Sequence, residues 1–457
     1  MKLRSLVVVV MTLVSVVAGT ATASATGRRS YTGSIDGADY RVEVPDQWNG
    51  TLVVYSHPYY VPGIPPGMGL TNRPETEDWL LAHGYALAAS DFKGRNGFLV
   101  EQGVVDQRNV LDWFTRHVGR PRDVVATGSS MGAAISLKLA ERLPRQITGV
   151  VPMCGPLDMG DTWNTILDAT FAIATLLAPG EDIEQVHVRD PARSVRLLQE
   201  AVTRASQTPA GRARLALAGS FANAPGWDRA MQPKPADLAG QLAQQAEIIM
   251  GFHVSTFGPS GRVDLEQRAG GNPLWNVGVD YSRQLAKSRE RDLVERAYQA
   301  AGTTPDADLA RLAAAPRISP DPAAVAWLYR NGIPTGAQRA PVITLHNVAD
   351  AADPANESWL ANIMRRNGNA DNLRQLFAGR ATHCAFTAAE EIVTMQVLFT
   401  RIRTGHWPST NPATLNATAA SLPAKYQVVY DYPNNPNAPA APALTAFDPG
   451  ALPRPSR

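Results

Sequence analysis

The sequence predicts an α/β chain, a mostly parallel β-sheet covered by helices on both faces with a large helical insertion. Three observations predict it. Short apolar runs alternate with helical patterns from residue 30 to 145. Between 156 and 339 the pattern turns helical and polar, broken by Pro, Gly and Asn. At 341 the strand–helix alternation returns. Strands joined through helices lie parallel, and the helices cover both sheet faces. A long segment between two sheet strands is most simply an inserted cap.

The elements follow in chain order. Residues 40–44 alternate apolar and polar side chains, as an edge hairpin strand does. Asn49-Gly50 is a turn signal before the buried strand 51–55. A short helix over 75–83 is stopped by Gly84, and 85–90 is the next apolar run. Val104, Val105, Val110, Leu111, Trp113 and Phe114 recur at helical spacing. Strand 123–127, helix 131–143 (stopped by Pro144) and strand 147–153 complete this part. Helices are expected over 162–177, 192–205, 235–250 and 281–301. Then come strand 341–345, helix 355–366, short strand 373–377 and helix 387–403. Thr387 and Glu390 open that last helix as a capping box, and Gly405 and Pro408 stop it. The organisation expected is core at 30–155 and 340–407, cap at 156–339, and a Pro/Ala/Asn-rich tail at 408–457. In that tail 426–432 is the one strand candidate.

The N-terminus carries an export signal. Lys2 and Arg4 precede an apolar run over 6–17, and Ala23-Ser24-Ala25 supplies the small residues of a cleavage site. The run is shorter than the roughly 20 residues of a spanning helix. Residues 1–25 are therefore expected to be removed and the protein secreted. Losing Lys2 and Arg4 brings the 43 Lys and Arg level with the 41 Asp and Glu. That balance gives no reason to expect nucleic acid or an anionic membrane as a partner. No later run reads as a membrane span. The two cysteines, Cys154 and Cys384, are too few for a disulfide scaffold or a zinc site. Each falls at the active edge of the sheet, so in an oxidising compartment one bridge is expected.

Gly128-Ser129-Ser130-Met131-Gly132 fits G-x-S-x-G. The pentapeptide alone is weak; its context is strong, because an apolar strand enters it and an Ala-rich helix leaves it. Glycines on either side permit a crowded turn that holds Ser130 strained above the sheet. The helix N-terminus behind it favours developing negative charge. A serine hydroxyl needs a base. Of the eight histidines, His383 stands in the loop before the last long helix, where this topology returns a base. His57, His83, His117 and His346 lie on or beside structural elements and read as structural or as supporting the site. An acidic residue should follow strand 341–345. Asp350 and Asp353 both qualify; Asp353-Pro354 is explained as a helix start, which favours Asp350. The loop after residue 55 reads Ser56-His57-Pro58-Tyr59-Tyr60. Pro58 has no N–H, so the Tyr59 amide is the expected oxyanion donor, with the Met131 amide as the second. The Tyr59 and Tyr60 rings are candidate pocket walls, or ordinary packing. Asp91 and Lys93 stand at the same edge, as site lining or as ordinary loop residues.

With these residues in place the chain resembles secreted bacterial α/β-hydrolases of the esterase and lipase kind, over about 30–155 and 340–405. The resemblance implies carboxylic ester hydrolysis through an acyl-enzyme, without cofactor or metal, on a small-molecule or polymeric ester. The oxyanion loop departs from the family's usual His-Gly, reading His57-Pro58. Cys384 directly after His383 is similar to tannase and feruloyl esterase sequences. There the partner cysteine precedes the nucleophile, where this chain has Ser129. No H-E-x-x-H, phosphate loop or dinucleotide fingerprint is present. Two other readings stand beside the esterase: a secreted serine peptidase or amidase on the same fold, and a non-catalytic binding protein.

Overall fold

The computed structural model describes residues 21–24, 27–64, 66–431 and 435–456. The charged and apolar parts of the expected export signal, and its cleavage point at Ala25, lie outside these residues. The strands are β1 (Ala21–Ser24), β2 (Arg28–Ile35), β3 (Ala38–Pro45), β4 (Thr51–Ser56), β5 (Ala86–Ser90), β6 (Asp123–Ser129), β7 (Gly149–Met153), β8 (Val342–Ala349), β9 (Leu373–Ala381), β10 (Val428–Asp431), β11 (Asn435–Pro439) and β12 (Leu444–Thr445). The main sheet runs β1-β2-β3-β5-β4-β6-β7-β8-β9-β12. From β5 through β9 neighbours pair parallel, whereas β1, β2, β3 and β12 pair antiparallel at the two sides. Crossing over β4, with an antiparallel lead-in and the nucleophile-type turn after the central β6, is the α/β-hydrolase arrangement.

Alternation along each strand divides the core in two. Leu52 and Val54 face a cluster with Val110, Leu111 and Phe114 of α2 (Val100–His117) and Ile135 and Leu139 of α3 (Met131–Arg142). Val53 and Tyr55 face the other side, with Trp79 and Leu80 of α1 (Pro74–Ala82) and Ile392 and Leu398 of α14 (Ala388–Thr404). Every one of these is buried, so β4 is sandwiched between helical layers. Helix α14 starts from the Thr387–Glu390 capping box.

Between β7 and β8 the chain is helical: α4 (Met159–Leu177), α5 (Pro191–Ala205), α6 (Pro209–Ser220), α7 (Leu238–Ile248), a π-helix (Ile249–Thr256), α8 (Pro259–Ala269), α9 (Tyr281–Lys287), α10 (Arg291–Ala300), α11 (Asp306–Ala314) and α12 (Pro322–Asn331). These helices share their own core, including Phe171, Leu198, Leu217, Phe221 and Val294. After β8 come α13 (Asn356–Arg366) and, late in the chain, α15 (Pro412–Ala420). Among the described residues no helix is long and apolar enough to cross a membrane.

Four expectations change. The strand at 40–44 is interior, because β2 pairs along its outer side, Tyr40 opposite Gly33. The helix expected over 281–301 is two: Ser288 turns extended (φ −67°, ψ 138°), and the Asn223 side-chain oxygen Oδ1 accepts from both the Ser288 hydroxyl and the Arg289 amide. The helix expected to end at 250 continues as the π-helix to Thr256. Asp353 does not cap α13; its carboxylate accepts from the Ala355 amide, and the helix begins at Asn356. In the C-terminal segment β10 pairs with β11 rather than with the main sheet. Residues 454–456 fold back on α4: Arg454 neutralises the buried Asp168 at 2.8 Å, and the Ser456 amide donates to Asp158 at 2.7 Å.

Candidate active site

Strand β6 ends at Ser129 and α3 begins at Met131, so Ser130 alone makes the turn. It does so at φ 56°, ψ −123°, a conformation non-glycine residues rarely hold. Its amide donates to the Met153 carbonyl of β7 at 2.9 Å, which pins the turn against the next strand. The flanking glycines are required by close approach. A Cβ on Gly128 would overlap the backbone of Gly132, and one on Gly132 would overlap the Ser56 carbonyl. Ser130 is 7% exposed. Ser129 points away, buried, its hydroxyl 2.7 Å from the Tyr55 hydroxyl.

His383 lies between β9 and α14. Its Nδ1 is 2.7 Å from Asp350 Oδ1, and Asp350, fully buried after β8, also accepts the Ala352 amide at 2.8 Å. A carboxylate on Nδ1 fixes the tautomer with the proton there and leaves Nε2 free to accept one. Nε2 is buried without a hydrogen-bond partner among the described residues. Asp353 does not reach the histidine. It accepts from Asn223 at 2.7 Å and pairs with Arg289 at 3.1 Å, both from the helical segment.

A disulfide joins Cys154, the residue after β7, to Cys384, the residue after His383, with Cα atoms 5.3 Å apart. A ring nitrogen of His383 lies within 4.8 Å of both sulfurs. The bridge thus ties the histidine loop to the strand that holds the Ser130 amide. Both sulfurs are consumed in the bond, so this trio does not offer the thiolates a metal requires. Positive φ angles gather here: Cys154 at 44°, Thr382 at 74° and Cys384 at 56°, besides Ser130. Strained backbone held by its surroundings is characteristic of functional sites.

The loop after β4 passes beside the turn. His57 is buried, stacked 4.1 Å from Phe92, and its Nδ1 donates to the Pro58 carbonyl at 2.7 Å. Burial holds this imidazole below its usual range. The His57-Pro58 departure is therefore absorbed inside the loop, with Tyr59 next in line. Met131, first in α3, has an amide with no acceptor within the helix. The Tyr60 carbonyl accepts from Gly97 at 2.9 Å and its ring leans on His57 at 5.1 Å, so its ring packs on the loop. Asp91 and Lys93 belong to loop packing: Asp91 accepts the Asp39 amide and pairs with Arg95, and the Lys93 amide donates to Asp106.

Of the aromatic wall, sequence reasoning offered Tyr59 and missed Phe252, Phe257 and Trp163. Phe252 of the π-helix meets the His383 ring edge-on at 5.8 Å and Phe257 at 4.7 Å; Phe257 then meets Tyr59 at 4.9 Å and Trp163 at 5.5 Å. π-Helices are rare and cluster at functional sites. No local signal in the sequence distinguishes this one from the end of α7.

A family model described as a tannase-like family of unknown function (DUF6351) matches residues 35–425. The o-phthalyl amidase of Xanthobacter agilis is 28% identical over 420 residues, covering 84% of this chain and 89% of that protein. Among solved structures, a rice cell wall degrading esterase of Xanthomonas oryzae is 11% identical with a TM-score of 0.36, covering 82% of this chain and 89% of its own. An esterase of Aspergillus oryzae is 12% identical with a TM-score of 0.39, covering 83% and 80%. The fold rests on the strand order above rather than on likenesses this distant.

Proposed function

We propose, from the premise that the chain belongs to the tannase-like DUF6351 family, that it is a secreted serine hydrolase cleaving carboxylic esters through an acyl-enzyme. The observation that carries this reading is Ser130 held at φ 56° between two glycines that cannot bear side chains, together with His383 oriented through Nδ1 by the buried Asp350 carboxylate and tied, through the disulfide at the next residue, to the end of the strand that holds the Ser130 amide. Ser130 Oγ attacks the carbonyl carbon while His383 Nε2 takes its proton. The Tyr59 and Met131 amides hold the oxyanion, each donor being worth about 3–4 kcal/mol in the transition state. His383 then protonates the leaving alcohol, and a water activated by the same nitrogen releases the acid. Asp350 holds the tautomer and balances the imidazolium.

The wall from Phe252 through Phe257 to Tyr59 joins the base to one oxyanion donor, so an aromatic acyl group stacks where an acetyl group leaves a gap. Amide cleavage is the second reading, and the relative named as an o-phthalyl amidase favours it. The chemistry is shared; an amide demands more of the acid step, because the leaving amine must be protonated. Export is supported by the N-terminal signal pattern and by the disulfide.

The test is a panel of p-nitrophenyl esters, from acetate to benzoate and phthalate, beside the matching anilides, with Ser130→Ala as control. Esters turned over with kcat/KM rising from acetate to benzoate fit the proposal. Anilides turned over as well as esters would decide for the amidase. Turnover that survives Ser130→Ala would overturn both.

A further inference from the structure

Behind the proposed triad stands a second histidine. His346 sits on β8, fully buried, four residues before Asp350. Its Nδ1 is 3.1 Å from Glu357 Oε1, and its Nε2 is 2.9 Å from the Ala352 carbonyl. Both partners only accept, because the Glu357 carboxylate is already supplied with donors. Its Oε2 receives the Thr344 hydroxyl at 2.6 Å and the Gln375 amide at 2.6 Å. A neutral imidazole has one N–H and would turn a lone pair toward an oxygen at the other nitrogen. Both nitrogens facing acceptors fits the doubly protonated ring.

That cation has a consequence for the site. Asp350 uses Oδ1 for His383 and the Ala352 amide, while its Oδ2 is buried with no hydrogen-bond partner among the described residues. The group facing Oδ2 is His346 Nε2, at 3.7 Å. A buried carboxylate without a counter-charge is costly.

We propose that His346 is a positioning residue for the reaction: held as an imidazolium by Glu357, it is the buried counter-ion of the Asp350 carboxylate and shares that charge with His383. Glu357, His346, Asp350 and His383 then form a chain of alternating charge that reaches Ser130 when His383 accepts its proton. The inference rests on the triad reading of the previous subsection. The charged groups packed around His346 are Glu357 from α13 and Asp350 from the loop after β8. His383 lies beyond Asp350, and Asp353 in the same loop is occupied by Arg289. Burial by itself lowers the His346 imidazole. The Glu357 hydrogen bond and the Asp350 and Glu357 charges outweigh that and hold it above its usual value.

The direction of the kinetic effect follows. Without the His346 cation, only His383 is left to neutralise Asp350. His383 then holds its proton more tightly, and the acid limb of kcat/KM moves to higher pH. His346→Gln is expected to raise that limb by about one pH unit and lower kcat about tenfold at neutral pH, with KM within about twofold. Glu357→Gln should act in the same direction. A folded His346→Gln enzyme whose pH profile superimposes on the parent's overturns the proposal. Should His346→Gln not fold, nitrogen NMR of the histidine-labelled parent protein tests the same charge independently. Two protonated ring nitrogens at pH 7 on one buried histidine, which shifts on Glu357→Gln, are expected. A neutral spectrum from every buried histidine overturns it. The NMR result does not depend on turnover. An active Ser130→Ala enzyme with the doubly protonated signal would therefore condemn the triad reading and leave the His346 charge standing.

Discussion

Replacing Gly132 by alanine adds one methyl group where the backbone leaves no room for it. An ideal Cβ there falls onto the Ser56 carbonyl and within 2.9 Å of the His57 carbonyl oxygen, both backbone atoms that no rotamer change can move aside. The end of β4 and the start of α3 must therefore separate by several tenths of an ångström or more. Overpacking of this kind costs about 1–3 kcal/mol of stability. The larger effect is on chemistry, because the two proposed oxyanion amides sit on opposite sides of the wedge. Met131 precedes Gly132 in α3, and Tyr59 follows Ser56 and His57 on the displaced strand. Parting them weakens both donors at once, and a misplacement of roughly 1 Å costs on the order of a hundredfold in rate. Gly132→Ala is therefore expected to lower kcat on a p-nitrophenyl ester by about a hundredfold. KM should change little and the melting temperature should fall by only a few degrees. Wild-type kcat in a folded Gly132→Ala protein would refute the role given to this turn.

The remaining predictions concern the acid, the bridge and a buried carboxylate. Asp350→Asn should lower kcat by about two to four orders of magnitude, and Asp353→Asn should act mainly on stability by releasing Arg289 and Asn223. The reverse ranking of the two in steady-state kinetics would move the acid to Asp353. Titrating the Cys154–Cys384 bridge with dithiothreitol should abolish hydrolase activity before circular dichroism changes, because the bridge holds the His383 loop. The chain-entropy ceiling for a separation of 230 residues is about 5 kcal/mol. Parallel loss of activity and fold would assign the bridge a purely global role. Glu391 is fully buried and accepts from Asn72 and Thr76; burial raises its carboxyl to about 7. An acid raised in the fold loses stability as pH climbs from its unfolded value near 4.5 to that point, because the folded state holds the proton longer. Glu391→Gln should therefore gain stability relative to the parent between pH 5 and pH 8, by up to about 3 kcal/mol in urea unfolding. An unchanged difference across that range would contradict the buried-acid assignment.

What the sequence made legible was local or periodic. The apolar run at 124–126, the two glycines of 128–132 and the Ala-rich helix behind them define the turn without tertiary information, and the Thr387–Glu390 box marks its helix start. The disulfide was accessible because β7 and the loop after β9 each had to end at the same sheet edge. What stayed hidden depends on packing at a distance. The break at Ser288 is set by Asn223, sixty-five positions earlier in the chain. The π-helix and the contact of Phe252 with His383 join segments more than a hundred residues apart. Helix α6 carries so even a mixture of Ala, Gly, Leu and Arg that its amphipathic signal is faint, and α8, α11 and α12 are short. His346 had a usable signal: with Thr344 it places polar groups on alternate positions of the otherwise apolar run 342–346. Such polar groups need buried partners, and Glu357 provides one.

The most direct test of the central claim is the site of covalent capture by a fluorophosphonate, read by mass spectrometry of the digested protein. Such reagents modify a serine whose oxygen is activated by a base and whose adduct is held by an oxyanion hole. One adduct per chain is expected, on Ser130, that disappears in Ser130→Ala and forms far more slowly in His383→Ala. An adduct on Ser129, or undiminished labelling of Ser130→Ala, would contradict it.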